Sequence, residues 1–422
     1  MRYTLLFPWF IPAYLPLTAQ FVQVAQGPAY ADAVYLDLAS RSATTVAHDA
    51  WDIAFTVTPR GAGVVVNEGI TSASGAQPVA AFLSTENSFA AVDTFSRGDR
   101  LYNDESSWEG GAFGSVVTPG DPFDLGWGTY NPATQSVDGS RNFLVQTRDG
   151  VYHRLRVLSL DGGSYTFIHA RADGSTDTDT VSIDKSAYVG KTLAYFSFAG
   201  GVRDLEPAAW DLLFTRYSTP LEAEPGVFID YTVTGVLQNS GVSVARLSGV
   251  DPATVDAPAD EEGNYNDTLT TIGYDWKQFD FASGTYNLPD DLVYFVATPD
   301  STYRLQFIDF EGGQTGITTL TVAGVEGTTA LPGLPDRVSA SSVFPNPAYD
   351  RATLELTTEV SLEQTHVDVL DVSGRILHRT RVRALHPGTH RLTVPLDGLP
   401  RGNYLLRLAG SAGTLVHHLV KQ

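Results

Sequence analysis

Apolar and polar residues alternate with period two in a stretch that occurs twice along the chain. Trp51, Ile53 and Phe55 alternate with Asp52, Ala54 and Thr56; 159 positions later Trp210, Leu212 and Phe214 alternate with Asp211, Leu213 and Thr215. This pattern predicts a strand with one face in a core. Leu213 makes the second copy more apolar on its other face. Burying a Trp removes about 150–250 Å² from water, roughly 4–6 kcal/mol as an upper figure. Each of the two Trp residues is therefore expected at the centre of its own core. Two copies imply two domains of one design.

Two further landmarks recur in the same order. Gly126–Tyr130, around Trp127, is answered by Asp275–Phe279, around Trp276. Phe143–Val157 reads as two strands about an Arg-Asp-Gly turn, and Val293–Phe307 answers it. The period of roughly 150 residues is too long for a solenoid, so two beads are expected, over 20–172 and 187–326. Between them, 173–186 reads as a solvated linker; Asp173, Asp177 and Asp179 lack the spacing of a known calcium loop. A second linker, rich in Gly, Pro and Ser, covers 327–342. Over 343–422, short strands separated by turns predict a small Ig-like β-sandwich. The expected fold class is all-β: two tandem antiparallel domains and this sandwich.

Composition sharpens that picture. Among 422 residues there are 39 Gly and 23 Pro, as a turn-rich β protein requires. The net charge is −21, yet from Val343 onward nine Lys/Arg face seven Asp/Glu, which leaves a charge of −23 on the first 342 residues. Such a surface repels nucleic acid and anionic lipid. With no Cys, disulfides, thiolate metal sites and Cys nucleophiles are excluded. Residues 1–19 carry one positive charge, an apolar run and a small residue at Ala19, the pattern of a secretory signal. No later run reaches the roughly 18 apolar residues of a membrane helix.

Candidate chemistry is sparse. No Gly-x-Ser-x-Gly elbow, His-Glu-x-x-His helix or phosphate-binding glycine loop occurs, so neither catalytic nor metal residues are assigned and a non-enzymatic protein is expected. Trp51, Trp127, Trp210 and Trp276 read as core. Trp108 has no counterpart in the second repeat and stands in the loop-like Asp104–Gly111. It is either a platform for a sugar or hydrophobic group, or a Trp folded back on its own domain.

The last segment resembles the type A sorting domain of the type IX secretion system. The matches are Phe344-Pro345-Asn346-Pro347, Asp371-Val372-Ser373-Gly374-Arg375, Leu399-Pro400-Arg401-Gly402-Asn403-Tyr404 and Leu419-Val420-Lys421. The resemblance implies the type IX machinery as partner and a secreted or outer-membrane-surface location. The two beads resemble the HmuY family of secreted haem-binding proteins, through Val34–Leu38, Trp51–Phe55 and Phe143–Val157 in the first and Ala194–Phe198, Ala209–Leu212 and Val293–Phe307 in the second. That resemblance implies capture of haem, another porphyrin or a different hydrophobic nutrient. Haem needs an axial His or Met. The family's axial position past the Trp corresponds to Pro132 and Phe281, and neither 93–127 nor 248–276 holds a His or Met. The remaining candidates are His48, His153 and His169. A secreted binding protein is thus expected, with an adhesive or structural surface module, glycan-binding in one form, as the alternative.

Overall fold

A computed structural model describes residues 20–69, 77–258, 264–280, 282–329, 338–358, 365–370, 376–382, 384–410 and 413–422. The expected signal segment and Gly374 lie outside them. The chain divides into two compact units, 20–297 with 303–324, and 298–302 with 325–422. Among the described residues, helix is confined to single 3-10 turns, and the all-β expectation holds.

Strands of the first unit follow the repeat. The first repeat opens with β1 (Gln20–Ala25), β2 (Asp32–Asp37) and β3 (Ser42–Ala47). It continues with β4 (Ile53–Thr56), β5 (Val64–Val66), β6 (Ala80–Ser84), β7 (Arg97–Leu101), β8 (Gly128–Asn131), β9 (Ser136–Gly139), β10 (Phe143–Gln146), β11 (Tyr152–Asp161) and β12 (Ser164–Arg171). The second repeat opens with β13 (Asp179–Asp184), β14 (Leu193–Ser197) and β15 (Gly201–Arg203). It continues with β16 (Leu212–Glu224), β17 (Val227–Gln238), β18 (Ser243–Leu247), β19 (Gln278–Asp280), β20 (Thr285–Asn287), β21 (Val293–Ala297), β22 (Ser301–Phe310) and β23 (Ile317–Thr329).

Pairing crosses between the repeats. β2 lies against β16, with Leu36 opposite Leu212 and Val34 opposite Phe214; β1 edges the second repeat's sheet along β23. In return β14 lies against β4, with Phe196 opposite Ile53, and β13 edges the first repeat's sheet along β12. Each repeat has given its first three strands to the other. One lobe is therefore β4 to β15, with sheets ordered β13-β12-β11-β10-β6-β7 and β15-β14-β4-β5. The other is β1 to β3 with β16 to β23, with sheets β1-β23-β22-β21-β18 and β17-β16-β2-β3. This is a reciprocal exchange of identical elements within one chain.

The exchange revises two expectations. Residues 179–184, read as linker, form an edge strand with Phe167 opposite Val181. Trp51 and Trp210 do not centre separate cores. The separate cores belong to Trp127, buried with Phe55, Phe143 and Phe167, and to Trp276, buried with Phe214, Tyr294 and Phe307. Trp210 is buried, and Trp51 half-buried, in a third cluster that includes Tyr35, Ala54, Val65, Tyr195, Leu213 and Trp108. Both Trp residues precede their strands and leave the alternation: Ile53 and Phe55 face the first core and Leu212 and Phe214 the second, while Ala54, Leu213 and the two indoles join the third cluster. The central strands β4, β5 and β14 are buried along their whole length, as strands covered on both faces are.

In the second unit, β24 (Val338–Phe344), β25 (Arg351–Thr358) and β28 (Gly388–Pro395) form one sheet. The other has the order β27-β26-β29-β30, where β26 is His366–Leu370, β27 Ile376–Arg381, β29 Gly402–Gly410 and β30 Gly413–Lys421. Leu354, Leu356, Val367, Val369, Leu406 and Leu408 share its core. Three strands against four is the count of a constant-type Ig sandwich.

Candidate functional site

The crossover between lobes is built twice, from equivalent residues. Asp52 N–H donates to Phe196 O and Asp211 N–H to Leu36 O, both at 2.9 Å. The Asp52 carboxylate accepts from Phe198 N at 2.8 Å, and the Asp211 carboxylate from Leu38 N at 2.7 Å. Asn67 Nδ2 donates to Trp51 O at 2.9 Å, and Asn239 Nδ2 to Trp210 O at 2.8 Å. Tyr195 packs edge-on to Trp51 and Tyr35 edge-on to Trp210, each pair with centroids 5.0 Å apart. At the centre the two tyrosine hydroxyls hydrogen-bond to each other. Burial raises both phenols well above their ordinary range, so each stays protonated.

Two buried carboxyls fasten this seam. Glu68 accepts from Asn103 N at 2.9 Å in its own lobe and from Ser218 N at 3.0 Å in the other. Burial pushes its pKa up to about 7 against the pull of those donors. Glu206 accepts from Thr192 N, Leu193 N and Trp210 Nε1, each at 2.8 Å, and burial raises it as well.

The structure separates the candidate residues. Trp108 is 8% exposed: its ring packs edge-on to Trp210 at 6.3 Å and its Nε1 donates to Gln238 O at 2.9 Å. It is therefore a seam residue folded against the other lobe, not a free platform. His48, in the turn His48–Ala50, is 1% exposed, and neither ring nitrogen has a hydrogen-bond partner among the described residues. Burial, with the positive charges of Arg148 and Arg216, lowers its pKa to about 3.

His153 and His169 come together on neighbouring strands, with rings edge to face and centroids 6.4 Å apart. His153 stacks on Phe198 at 4.1 Å, and His169 packs against Phe196 at 5.2 Å. Burial lowers His153 to about 4 and also lowers His169. Haem does not fit between them: directly packed rings span about 4.5–7 Å, so no layer is left for a macrocycle. The hollow outside His153 measures about 290 Å³ and is bordered by Asp49, Arg148, Asp149 and Arg171. No group of three or more His, Asp or Glu placed to hold a metal occurs among the described residues.

A groove of about 660 Å³ opens at the seam, walled by Ser107, Trp108, Gln238, Ser240, Asn266 and Thr268. A second hollow of about 510 Å³ adjoins it, and Thr58, Asn239 and Ser240 border both. Sequence reasoning reached Trp108 only. The segments around Gln238 and Asn266 carry no motif and enter the site through pairing across the seam.

In the second unit the motif residues hold the chain end. Asn346 Oδ1 accepts from Val420 N at 2.9 Å, and Ala348 N donates to Val420 O at 2.8 Å. The Phe344-Pro345 and Asn346-Pro347 peptide bonds are cis, and Phe344 is exposed. Gly402 opens β29, and Tyr404 is buried with its hydroxyl donating to Pro400 O at 2.7 Å. Such a hydroxyl bond to upstream backbone is the corner tie of Ig-type sandwiches.

Comparison with solved structures gives distant likenesses, among them two from Porphyromonas gingivalis. Dimeric latent PorU is 10% identical with a TM-score of 0.17, over 68% of this chain and 31% of PorU. PorZ, a surface component of the type IX secretion system, is 13% identical with a TM-score of 0.16, over 69% of this chain and 41% of PorZ. The chain thus spans well under half the length of either. Comparison with curated proteins finds no match. Residues 342–422 match the family model described as a secretion system C-terminal sorting domain. The chain therefore ends in a type IX sorting domain, the address of an exported protein.

Proposed function

We propose that residues 20–324 form a non-enzymatic binding module of HmuY-like ancestry, working outside the cell after type IX export. The observation that carries this reading is the broad, solvent-open groove at the seam of two lobes locked together by exchanged strands. A rigid frame that presents an open polar surface suits holding a ligand, since little ordering is needed on binding. Val34–Leu38 and Ala194–Phe198 take equivalent places in the two lobes, which supports duplication of one module; the HmuY-like ancestry rests on the sequence pattern of those segments.

The ligand class is surface material, the adhesive form of the reading, and not haem. Haemin added to the full chain should leave the Soret band of free haemin unshifted in both redox states. A shift lost on His153→Ala would restore haem capture. The module reading itself is tested by incubating the full chain with insoluble bacterial cell-surface glycan. Saturable retention with the glycan recovered intact supports it; release of soluble fragments, or no retention, contradicts it.

A further inference from the structure

The two seam hollows form one trough. Its first part lies beside Trp108 and its second runs on past Ser240 to Pro59, Tyr188 and Val189. Hydroxyls and amides dominate the walls of the first part, beside the carboxylates of Glu109 and Asp267, while Val57, Pro59, Tyr188 and Val189 make the second part largely apolar. The two lysines of the second part have their charges engaged. Lys185 Nζ donates to Thr58 O at 3.0 Å and also to Gly61 O, and Lys191 pairs with Asp204. An anionic ligand would meet carboxylates and find these cations already partnered, so the walls select against it.

Gln238 braces the wall: it is 2% exposed, and its Nε2 donates to Val242 O at 2.7 Å and Asn266 O at 3.0 Å. Half-buried Tyr188, with Pro59 and Val189 beside it, adds apolar and aromatic surface in the second part, which suits the apolar faces of sugar rings. Length, a hydroxyl- and amide-lined first part and an apolar second part beside Tyr188 offer both kinds of contact that a chain of sugar rings makes.

We infer that the trough binds a linear, uncharged polysaccharide chain, lying across the seam from Trp108 to Tyr188. This rests on the binding-module reading above. The test is electrophoresis of the full chain through native gels containing dextran, laminarin, mannan or xylan, with alginate as the anionic polymer. Retardation is expected in at least one neutral polymer and not in alginate. Ser240→Trp and Thr268→Trp, at the shared border and the rim, should each weaken it tenfold or more. Their melting temperatures should stay within a degree or two of the wild type, and if one variant misfolds the other decides.

No retardation in any neutral polymer, or stronger retardation in alginate, overturns the inference. So does retardation unchanged in the folded variants. Saturable, intact retention on insoluble glycan that both variants preserve would remove the trough while leaving the module reading in place.

Discussion

The two crossovers share one set of hydrogen bonds, yet they are not equally buried. Around Trp51 the strand β4 has four residues and the indole is half-buried; around Trp210 the strand β16 has thirteen and the indole is 5% exposed. The extra cover comes from the parts that have no twin. Trp108 packs on Trp210, and Glu206 takes the Trp210 indole hydrogen. What the copies share holds the exchange in place. What differs between them lies next to the open groove, so departure from the repeat marks where a specific role was added.

The largest test of that comparison removes one side. Deleting residues 20–47 strips β1, β2 and β3 from the second lobe and bares Leu212, Phe214, Leu320 and Val322. Hydrogen exchange should then show protection lost across 210–324. Two sequential beads would instead lose protection in the first repeat.

Next, Trp210→Ala should cost about 3–5 kcal/mol, and Trp51→Ala less because its ring is already half-exposed. Both indoles share one cluster, so calorimetry should show the whole of residues 20–324 melting earlier as a unit. A shift confined to one of two resolved transitions would restore independent cores.

The tyrosine pair gives a smaller and sharper effect. Tyr35→Phe or Tyr195→Phe leaves one buried hydroxyl without its partner, at about 1–3 kcal/mol. The double variant should recover most of that loss, because neither polar group remains. Additive losses in denaturant titration would mean that the two hydroxyls do not depend on each other.

A further effect is pH-dependent. Glu68 binds its proton more tightly folded, near pH 7, than its ordinary 4.5. Its contribution is therefore fully present below about pH 4.5 and lost as pH rises through 7. His48 acts with the opposite sign, since its lowered pKa makes acid unfavourable below about 6.5. Subtracting the Glu68→Gln profile from the wild type isolates the Glu68 contribution. The difference should fall between pH 5 and 7.5; a flat difference would place the Glu68 proton elsewhere.

Much of this was legible in the chain. Period-two alternation located β4, β16 and the β10–β11 and β21–β22 hairpins, and the motifs around Asn346 and Tyr404 marked the tail. Partner choice was not legible. Val34–Leu38 and Ala194–Phe198 have the same pattern and phase, so either can complete either sandwich with equal local satisfaction. The signals that pointed to exchange were modest: Leu213 on the second face of its strand, and Tyr35 and Tyr195 on the faces turned from their own cores. Trp108 misled because its covering partners, Trp210 and Gln238, come from more than 100 positions away.

The exchange itself is tested most directly by a disulfide in a chain that has no cysteine of its own. Gln23 stands opposite Thr319 at the edge of the second lobe, both at least partly exposed. In Gln23→Cys/Thr319→Cys the bridge should close under mild oxidation, and in Gln23→Cys/Thr166→Cys it should stay open, as read by intact mass. Closure of the second pair with the first remaining reduced would mean that the N-terminal strand belongs to its own repeat, and the interlocked account would be wrong.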